Sequence, residues 1–183
     1  MTPRRILGVD PGLRTTGYGV VEVRAGALHL IEGGVLQPLA TQPLEARLVQ
    51  LHAAMCDVVR STRPDCMVIE ELWTAYDHPQ TAVLMGHARG VIALAAGAAG
   101  IAVHHLAHTV VKRALTGSGS ARKAQVNGMV VQLLGLSAPP HPHDVSDALA
   151  LAIAFANVEA QRDRFAELGV MMPSGRTRAS RLA

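Results

Sequence analysis

The chain has 183 residues, a length that suits one domain with a full hydrophobic core. Apolar residues make up 49% of it and aromatic residues only 3%, so the core must be aliphatic and any exposed aromatic ring is informative. The formal net charge of +3 allows an anionic partner without identifying one. There is no signal-peptide pattern at the N-terminus, and the longest apolar stretch, 91–103, is short and interrupted by glycine. We therefore expect a soluble, cytoplasmic protein.

The first predicted strand is a short apolar run, 6–9, that ends at Asp10 and is stopped by Pro11 and Gly12. A continuously apolar run of this length is typical of a central strand. The turn that follows leaves Asp10 at the edge of the sheet. Taken alone, this acid is better explained as a turn cap than as a functional group.

Two further strands, 16–23 and 28–36, are predicted to form an antiparallel meander with the first. Apolar residues then recur at helical spacing over 44–60. A second apolar strand, 66–70, follows and also ends in a carboxylate, that of Glu70. Asp10 thus has a counterpart at the end of another strand.

A helix over about 81–99 is rich in glycine and alanine, so another backbone can approach it closely. Tight packing on its own sheet and self-association explain this composition equally well. A short strand at 102–106 and a short helix at 111–115 come next, and the Gly/Ser segment 116–120 is predicted to be a loop.

Two more helices are predicted, at 121–136 and from 144 to about 161. The whole pattern indicates an α/β fold, a mixed sheet of three antiparallel strands followed by parallel strands, with helices on both faces. We expect residues 1–161 to form a single domain and residues 162–183 to form a basic, disordered tail.

The last helix opens with Asp144 and Asp147, three residues apart and therefore on one face of the first turn. Helix capping explains this pair without any function. Together with Asp10 and Glu70, however, three separate elements deliver acids to plausible active-site ends. Four ionised carboxylates in one site require protons or cations to neutralise them. Oxygen ligands favour Mg²⁺ or Mn²⁺, and two such ions suit phosphodiester hydrolysis by water.

Several separated motifs occur in a specific order, and they are the segment 6–20, Ile69-Glu70 with Trp73 close behind, and the segments 86–90, 111–112, 117–123 and 144–150. From Arg5 to about Ala156 the chain closely resembles the RuvC family of Holliday junction resolvases. The resemblance implies an RNase H-like fold, a homodimer, and Mg²⁺-dependent paired nicking of four-way DNA junctions during recombination and repair. It also implies that Mn²⁺ can substitute, that two ions bind in each active site, and that RuvA and RuvB are partners.

Residue by residue, the family's four acids match Asp10, Glu70, Asp144 and Asp147. Some relatives have a histidine where Asp144 stands, so the adjacent His143 is an alternative ligand. Asp144 is preferred because its spacing places it on the same helix face as Asp147. The resemblance therefore predicts a metal site made of these carboxylates.

The family's aromatic residue after the strand-end glutamate matches Trp73, and Tyr76 is a weaker candidate. An exposed ring beside the catalytic acids is suited to stack on an unpaired base at the junction centre. Lys112 and Lys123 match DNA-contacting positions and are suited to bind phosphates. Arg122 is a further candidate DNA-binding residue, although a solvated surface position explains it equally well.

Two other functions remain alternatives from the sequence: an actin-like nucleotide-binding ATPase or kinase, and a noncatalytic DNA-binding dimer of the same fold. An actin-like protein needs two lobes of this α/β type, and this chain is long enough for only one. The second would be indicated by loss of one of the four acids, and none is lost. The histidines show no paired spacing with cysteine, so we interpret them as surface or core residues rather than as a zinc site.

Overall fold

The structure is a computed structural model that describes residues 3–71 and 79–169. Its centre is one five-stranded sheet with the spatial order β3-β2-β1-β4-β5. The strands are β1 (Arg4–Asp10), β2 (Thr16–Arg24), β3 (Ala27–Leu36), β4 (Cys66–Glu70) and β5 (Ala102–Leu106). The first three pair antiparallel, whereas β4 pairs parallel with both β1 and β5. The predicted mixed sheet is confirmed.

The helices alternate with the parallel strands and then follow the sheet. They are α1 (Leu44–Thr62), α2 (Pro79–Ala98), α3 (His108–Thr116), α4 (Lys123–Leu134) and α5 (His143–Glu167). α3 begins earlier than predicted, and α4 is shorter because Gly135 ends it in the left-handed conformation.

The predicted end of the last helix at 161 is wrong, because α5 continues to Glu167. An ion pair three residues apart, Glu159 with Arg162, supports the helix at this point, and the first glycine beyond it is Gly169. The helix therefore enters the segment assigned to the basic tail. Residues 170–183 lie outside the described residues, so the division of the chain at 161 stays a prediction.

Helices cover both faces of the sheet, as predicted. One hydrophobic core forms where α3, α4 and α5 pack on the sheet, and a second forms under α1 and α2. α5 is buried over residues 145–156 except at Asp147, which is half-buried. It lies directly on the backbone of the central strands, since a Cβ atom placed on Gly8 would be 2.0 Å from the carbonyl oxygen of Ala148. The start of α5 is thereby held against β1 and β2.

α2 is the least buried of the long helices. Its inner side contributes Ala88, Ile92, Ala95 and Ala96 to the second core. Its outer face is exposed and consists of Val83, His87, Gly90, Leu94 and Gly97. Residues Gln80–Ala98 are long and apolar enough to cross a membrane by length and composition. The apolar stretch 91–103 of the sequence did not predict such a helix, because it is short and interrupted by glycine. Core helices of globular proteins pass the same test, so the finding is weak evidence.

Candidate active site

Asp10 is the last residue of β1, and the turn after it is braced by a buried threonine. The Thr16 hydroxyl donates to the carbonyl of Gly12 at 2.7 Å and accepts from the amide of Gly12 at 3.2 Å. Thr16 is fully buried at the start of β2. The hydroxyl thus fixes the turn, and Asp10 is left facing the end of the sheet.

Glu70 ends β4, the parallel neighbour of β1. Because Val9 is in register with Ile69, the two acids that follow these residues lie at the same edge of the sheet. The Oε1 atom of Glu70 is 2.7 Å from Nδ1 of His108, the first residue of α3. The sequence prediction that two strand-end acids meet here is thus reproduced in the structure.

The third element is the start of α5. The helix begins at His143, after Pro142, and carries Asp144 and Asp147 in its first two turns. Gly17, which pairs with Asp10 across the sheet, lies against the backbone of Asp144: a Cβ atom there would be 2.1 Å from the Asp144 carbonyl oxygen. This close approach brings the two aspartates of α5 toward the strand-end acids.

Charge couples these acids into one electrostatic unit. Burial first, and then the charges of Glu70, Asp147 and Asp144 in that order, raise the pKa of Asp10 from an ordinary 3.8 to about 7. Lys123 acts in the opposite direction. Perturbation of this size by burial and like charges is typical of functional sites. His143, the alternative to Asp144, is exposed at the first residue of α5.

Lys123 supplies positive charge from α4. Its Nζ atom donates to Oδ2 of Asp147 at 2.7 Å, and this hydrogen bond is the main reason why the pKa of Lys123 is raised. One turn later, Asn127 accepts a 3.0 Å hydrogen bond from the buried Ser146 hydroxyl of α5. The two contacts lock the start of α4 beside the acids.

A cleft of about 140 Å³ opens between these elements. Its polar lining residues are Asp10, Glu70, His108, Lys112, Lys123 and Asp147. The structure therefore brings together three of the four predicted acids and both predicted lysines around one cavity. Asp144 does not line the cleft, but its charge raises the pKa of Asp10. Arg122 is exposed just before α4 and does not line the cleft either. Trp73 and Tyr76 lie outside the described residues.

His108 is the site residue that the sequence interpretation missed. It was grouped with the surface or core histidines, yet it lines the cleft and contacts Glu70. Its position four residues before Lys112 is the signal that could have indicated it, because residues four apart lie on one face of a helix. The neighbouring His104 stacks near Phe155, with ring centroids 4.5 Å apart, and does not face this cleft.

The acids suit a hard divalent cation in their chemistry, since their donor atoms are all carboxylate oxygens. Within residues 3–71 and 79–169, no three His, Cys, Asp or Glu side chains converge closely enough to hold a metal ion as they stand. In the structure Asp147 contacts Lys123 and Glu70 contacts His108. The chemistry of the carboxylate donors fits a hard cation.

The chain matches one protein family over most of its length. Residues 6–155 match the family described as crossover junction endodeoxyribonuclease RuvC. A relative of that name from Rhodopirellula baltica is 45% identical over 148 residues, which cover 81% of this chain and 83% of the relative. A relative of that name from Chloroflexus aurantiacus is 42% identical over 161 residues, or 88% of this chain and 98% of the relative.

Solved structures of RuvC proteins are similar to this chain in fold. Thermus thermophilus RuvC is 33% identical, has a TM-score of 0.78, and matches over 91% of this chain and 97% of its own. The same protein in complex with Holliday junction substrate is 34% identical with a TM-score of 0.82, over 87% and 96% of the two chains. The yeast mitochondrial resolvase Ydc2, at 12% identity and a TM-score of 0.68 over 90% and 84%, shares the fold.

The fold and the site together define the class of protein, which is an RNase H-like nuclease with an acidic cleft at the ends of its central strands. The chain belongs to the RuvC family of crossover junction endodeoxyribonucleases. It is a Holliday junction-resolving DNA endonuclease that depends on a divalent metal. The actin-like nucleotide binder and the noncatalytic dimer, the two alternatives from the sequence, are therefore set aside.

Proposed function

We propose that the acidic cleft hydrolyses one phosphodiester bond per subunit, at symmetric positions of a four-way DNA junction. The observation that carries this proposal is the coupling of Asp10 to three acids from distant sequence, in a cleft rimmed by Lys112 and Lys123. Acids alone would repel a phosphate, whereas acids beside lysines can accept a cation and a phosphate together. Recombination and repair are the processes that such cleavage serves.

Asp10, Glu70, Asp144 and Asp147 are the residues proposed to hold Mg²⁺, two ions per site, with Mn²⁺ able to replace it. Such ions, when bound, stabilise the attacking and leaving oxygens of the hydrolysis. Lys123 neutralises Asp147 in the metal-free protein, and His108 contacts Glu70 at 2.7 Å, which helps to explain how the carboxylates coexist there. Release of Lys123 and His108 exposes the carboxylate oxygens, and Lys123 is then free to bind a DNA phosphate.

The remaining proposed DNA contacts surround the cleft. Lys112 lines it, and so does Lys123, which follows the Gly/Ser loop at 117–120. The amides of Gly117, Ser118 and Ser120 in that loop already donate within the chain, so the phosphate contact is assigned to the Lys123 side chain. Arg122 is exposed next to Lys123 and is suited to a more distant phosphate. Trp73 and Tyr76 follow Glu70 closely in sequence and are proposed to stack on bases at the junction centre.

The decisive test is incubation of the purified protein with a synthetic mobile four-way junction, with and without Mg²⁺, beside a linear duplex of the same sequence. We expect paired, symmetric nicks in the junction only when the metal is present, and no cleavage of the duplex. Product strands resolved on a denaturing gel give both positions. Single unpaired nicks, or equal cleavage of the duplex, would contradict the proposal.

Replacing Trp73 by alanine is expected to lower junction cleavage by at least about tenfold and to leave duplex binding nearly unchanged, since one base-stacking contact is worth about 1–3 kcal/mol. Cleavage rates on the junction and binding constants on the duplex measure the two effects. The Trp73→Phe variant keeps a stacking surface and serves as the control. Equal losses on both substrates would indicate a structural tryptophan.

The outer face of α2 is proposed to pair with the same face of a second copy. Val83 and Leu94 are each 59% exposed there, and the glycines at 90 and 97 have no side-chain or backbone neighbour within 4 Å of an added Cβ atom. Apolar side chains beside bare glycine backbone allow two helices to approach closely. A homodimer supplies two active sites, as paired nicking requires.

The substitution Leu94→Glu is expected to convert the dimer into a monomer, because it places a charge in the middle of this apolar face. Sedimentation equilibrium measures the mass, and junction assays should show loss of paired nicks. Val49→Glu is the matched control, since Val49 is 68% exposed on α1 and should tolerate the charge. A Leu94→Glu variant that stays dimeric would exclude this face.

RuvA and RuvB are proposed partners on the basis of membership of the RuvC family. The cytoplasm, where four-way DNA junctions are found in bacteria, is the proposed location. Neither assignment alters the chemistry of the site. Co-sedimentation of the chain with RuvA and RuvB on a junction tests the first.

A further inference from the structure

Arg89 reaches from α2 into the end of the sheet. It is half-buried, lies one residue before Gly90 of the outer face, and points to the other side of the helix. Its Nη1 atom donates to the backbone carbonyl of Glu70, and its Nη2 atom is 2.8 Å from Nδ1 of His105 in β5. One guanidinium group thus contacts two adjacent strands at once.

The direction of the second hydrogen bond follows from chemistry. A guanidinium group can only donate, so Nδ1 of His105 accepts and its hydrogen is on Nε2. Burial, and after it the charge of Arg89, hold the pKa of His105 below its ordinary value, which suits a neutral acceptor. His105 lies in register with Ile69, the residue before Glu70. Both contacts of the arginine therefore lie beside the strand end that carries the acid.

Within residues 3–71 and 79–169, few other contacts support this strand end. The backbone ladder between β4 and β5 closes with the amide of Glu71 donating to Leu106 at 2.9 Å. Directly beyond it the side chain of Glu71 is exposed, and the Glu70 carboxylate is held on one side by the largely exposed His108. The planar fork of Arg89 fixes the distance between its two acceptors, which a lysine with a single nitrogen atom cannot do.

We propose that Arg89 is a positioning residue that sets the placement of Glu70 in the cleft and ties it to α2. The proposal deepens the proposed function, because it takes Glu70 as a metal ligand and α2 as the helix that meets the second subunit. The contacts that carry this role are those of the arginine with the Glu70 backbone and the His105 ring. The role of Arg89 is to hold the acid where the other carboxylates can share a cation with it.

The test compares Arg89→Lys and Arg89→Gln with the wild-type protein, and uses Arg60→Lys as the matched control. Arg60 is exposed on α1 and pairs with Asp57 within the same helix. Hydrogen exchange of the Glu71 amide, measured without metal or DNA, should become about tenfold faster in both Arg89 variants. Calorimetric Mn²⁺ affinity and the cleavage rate constant should each fall by about 10–100-fold, as for other residues that orient metal ligands.

A merely structural arginine would behave differently. For Arg89→Lys we expect the wild-type dimer mass, and a KM for the junction within about twofold of wild type, so that the loss lies in kcat. Wild-type exchange, Mn²⁺ affinity and kcat in the lysine variant would overturn the proposal. The proposal would also be overturned if the activity fell only in proportion to a loss of dimer or of folded protein. If Arg89→Gln does not fold, the lysine variant decides.

The measurements separate this proposal from the proposed function. Exchange of the Glu71 amide reports on the strand end whether or not the protein cleaves DNA. A wild-type protein that leaves four-way junctions intact would reject the proposed function, while faster exchange in the Arg89 variants would still support the positioning role. The reverse result, an active wild type with unchanged variants, would reject the positioning role alone.

Discussion

Asp10→Asn is expected to remove metal-dependent cleavage of a four-way junction, with a fall in rate of at least about 10³-fold. The change removes a negative charge from the centre of the acidic cluster and keeps its size, so the cation loses a central ligand. Junction binding in the absence of metal should stay within about twofold, because Lys112 and Lys123 are kept. Gel-shift and cleavage assays on the same junction measure the two quantities. Unaltered nicking by the variant would reject the metal-site assignment.

The same variant has an expected effect on stability that needs no DNA. Because Asp10 has a pKa of about 7 in the folded protein and an ordinary value of 3.8 when unfolded, folding takes up a proton between these values. The free energy of unfolding of the metal-free wild type should therefore fall as the pH rises from about 4 to about 7. Above pH 7, Asp10→Asn should be the more stable protein, by about 2–4 kcal/mol.

Urea denaturation in EDTA at pH 5 and pH 8 measures this difference. The control is Asp163→Asn, which removes an exposed acid from α5 and should change stability little at either pH. Added Mg²⁺ should stabilise the wild type and have little effect on Asp10→Asn. A difference between wild type and Asp10→Asn that does not depend on pH would contradict the placement of Asp10 among buried like charges.

Gly17→Ala is expected to impair stability and catalysis together. An added Cβ atom would be 2.1 Å from the carbonyl oxygen of Asp144 and 2.8 Å from its Cβ atom, and no side-chain rotation relieves a clash with backbone. The start of α5 must therefore shift away from β2. We expect a loss of about 1–3 kcal/mol in the free energy of unfolding and, from an acid displaced by about 1 Å, about a 10²-fold lower cleavage rate.

The matched control is Gly128→Ala in α4, where an added Cβ atom has nothing within 4 Å. Alanine should stabilise this helix by about 0.5–1 kcal/mol and leave cleavage unchanged. Denaturation curves and cleavage rates at several Mg²⁺ concentrations measure both variants. Wild-type cleavage by Gly17→Ala would show that the close contact between β2 and α5 does not place Asp144.

The strand-end acids could be predicted because local signals and topology agree. β4 was predicted at 66–70 and occurs as Cys66–Glu70. The end of such a strand can be predicted because the apolar run stops at a charged residue. Parallel neighbours end at one edge, so Asp10 and Glu70 had to be close once both strands lay in one sheet. The end of α5 was less predictable, since nothing between 161 and Gly169 breaks a helix and charged residues suit either state.

The contacts of the cleft depend on residues far apart in sequence. Lys123 was predicted as a phosphate ligand, yet in the folded chain it holds Asp147, because Ser146 and Asn127 fix α4 beside α5. His108 was assigned to the surface or core, and the start of α3 brings it to Glu70. Arg89 lies in the motif segment 86–90, and only the packing of α2 under the sheet directs it to Glu70 and His105.

The sequence by itself determined the sheet and the family, the first from apolar runs ended by carboxylates and the second from separated motifs in a specific order. It also predicted the four acids, from two strand ends and from aspartates one helical turn apart. Tertiary structure alone decided which cation meets which acid. It also decided that bare glycine backbone at Gly8 and Gly17 lets α5 rest on the sheet. The physical reason is that a hydrogen bond of 2.7 Å, or a backbone contact, depends on how whole elements pack, and no short segment encodes that. Asp10 is an acid at the end of a strand in the sequence, and in the folded chain it has a pKa of about 7.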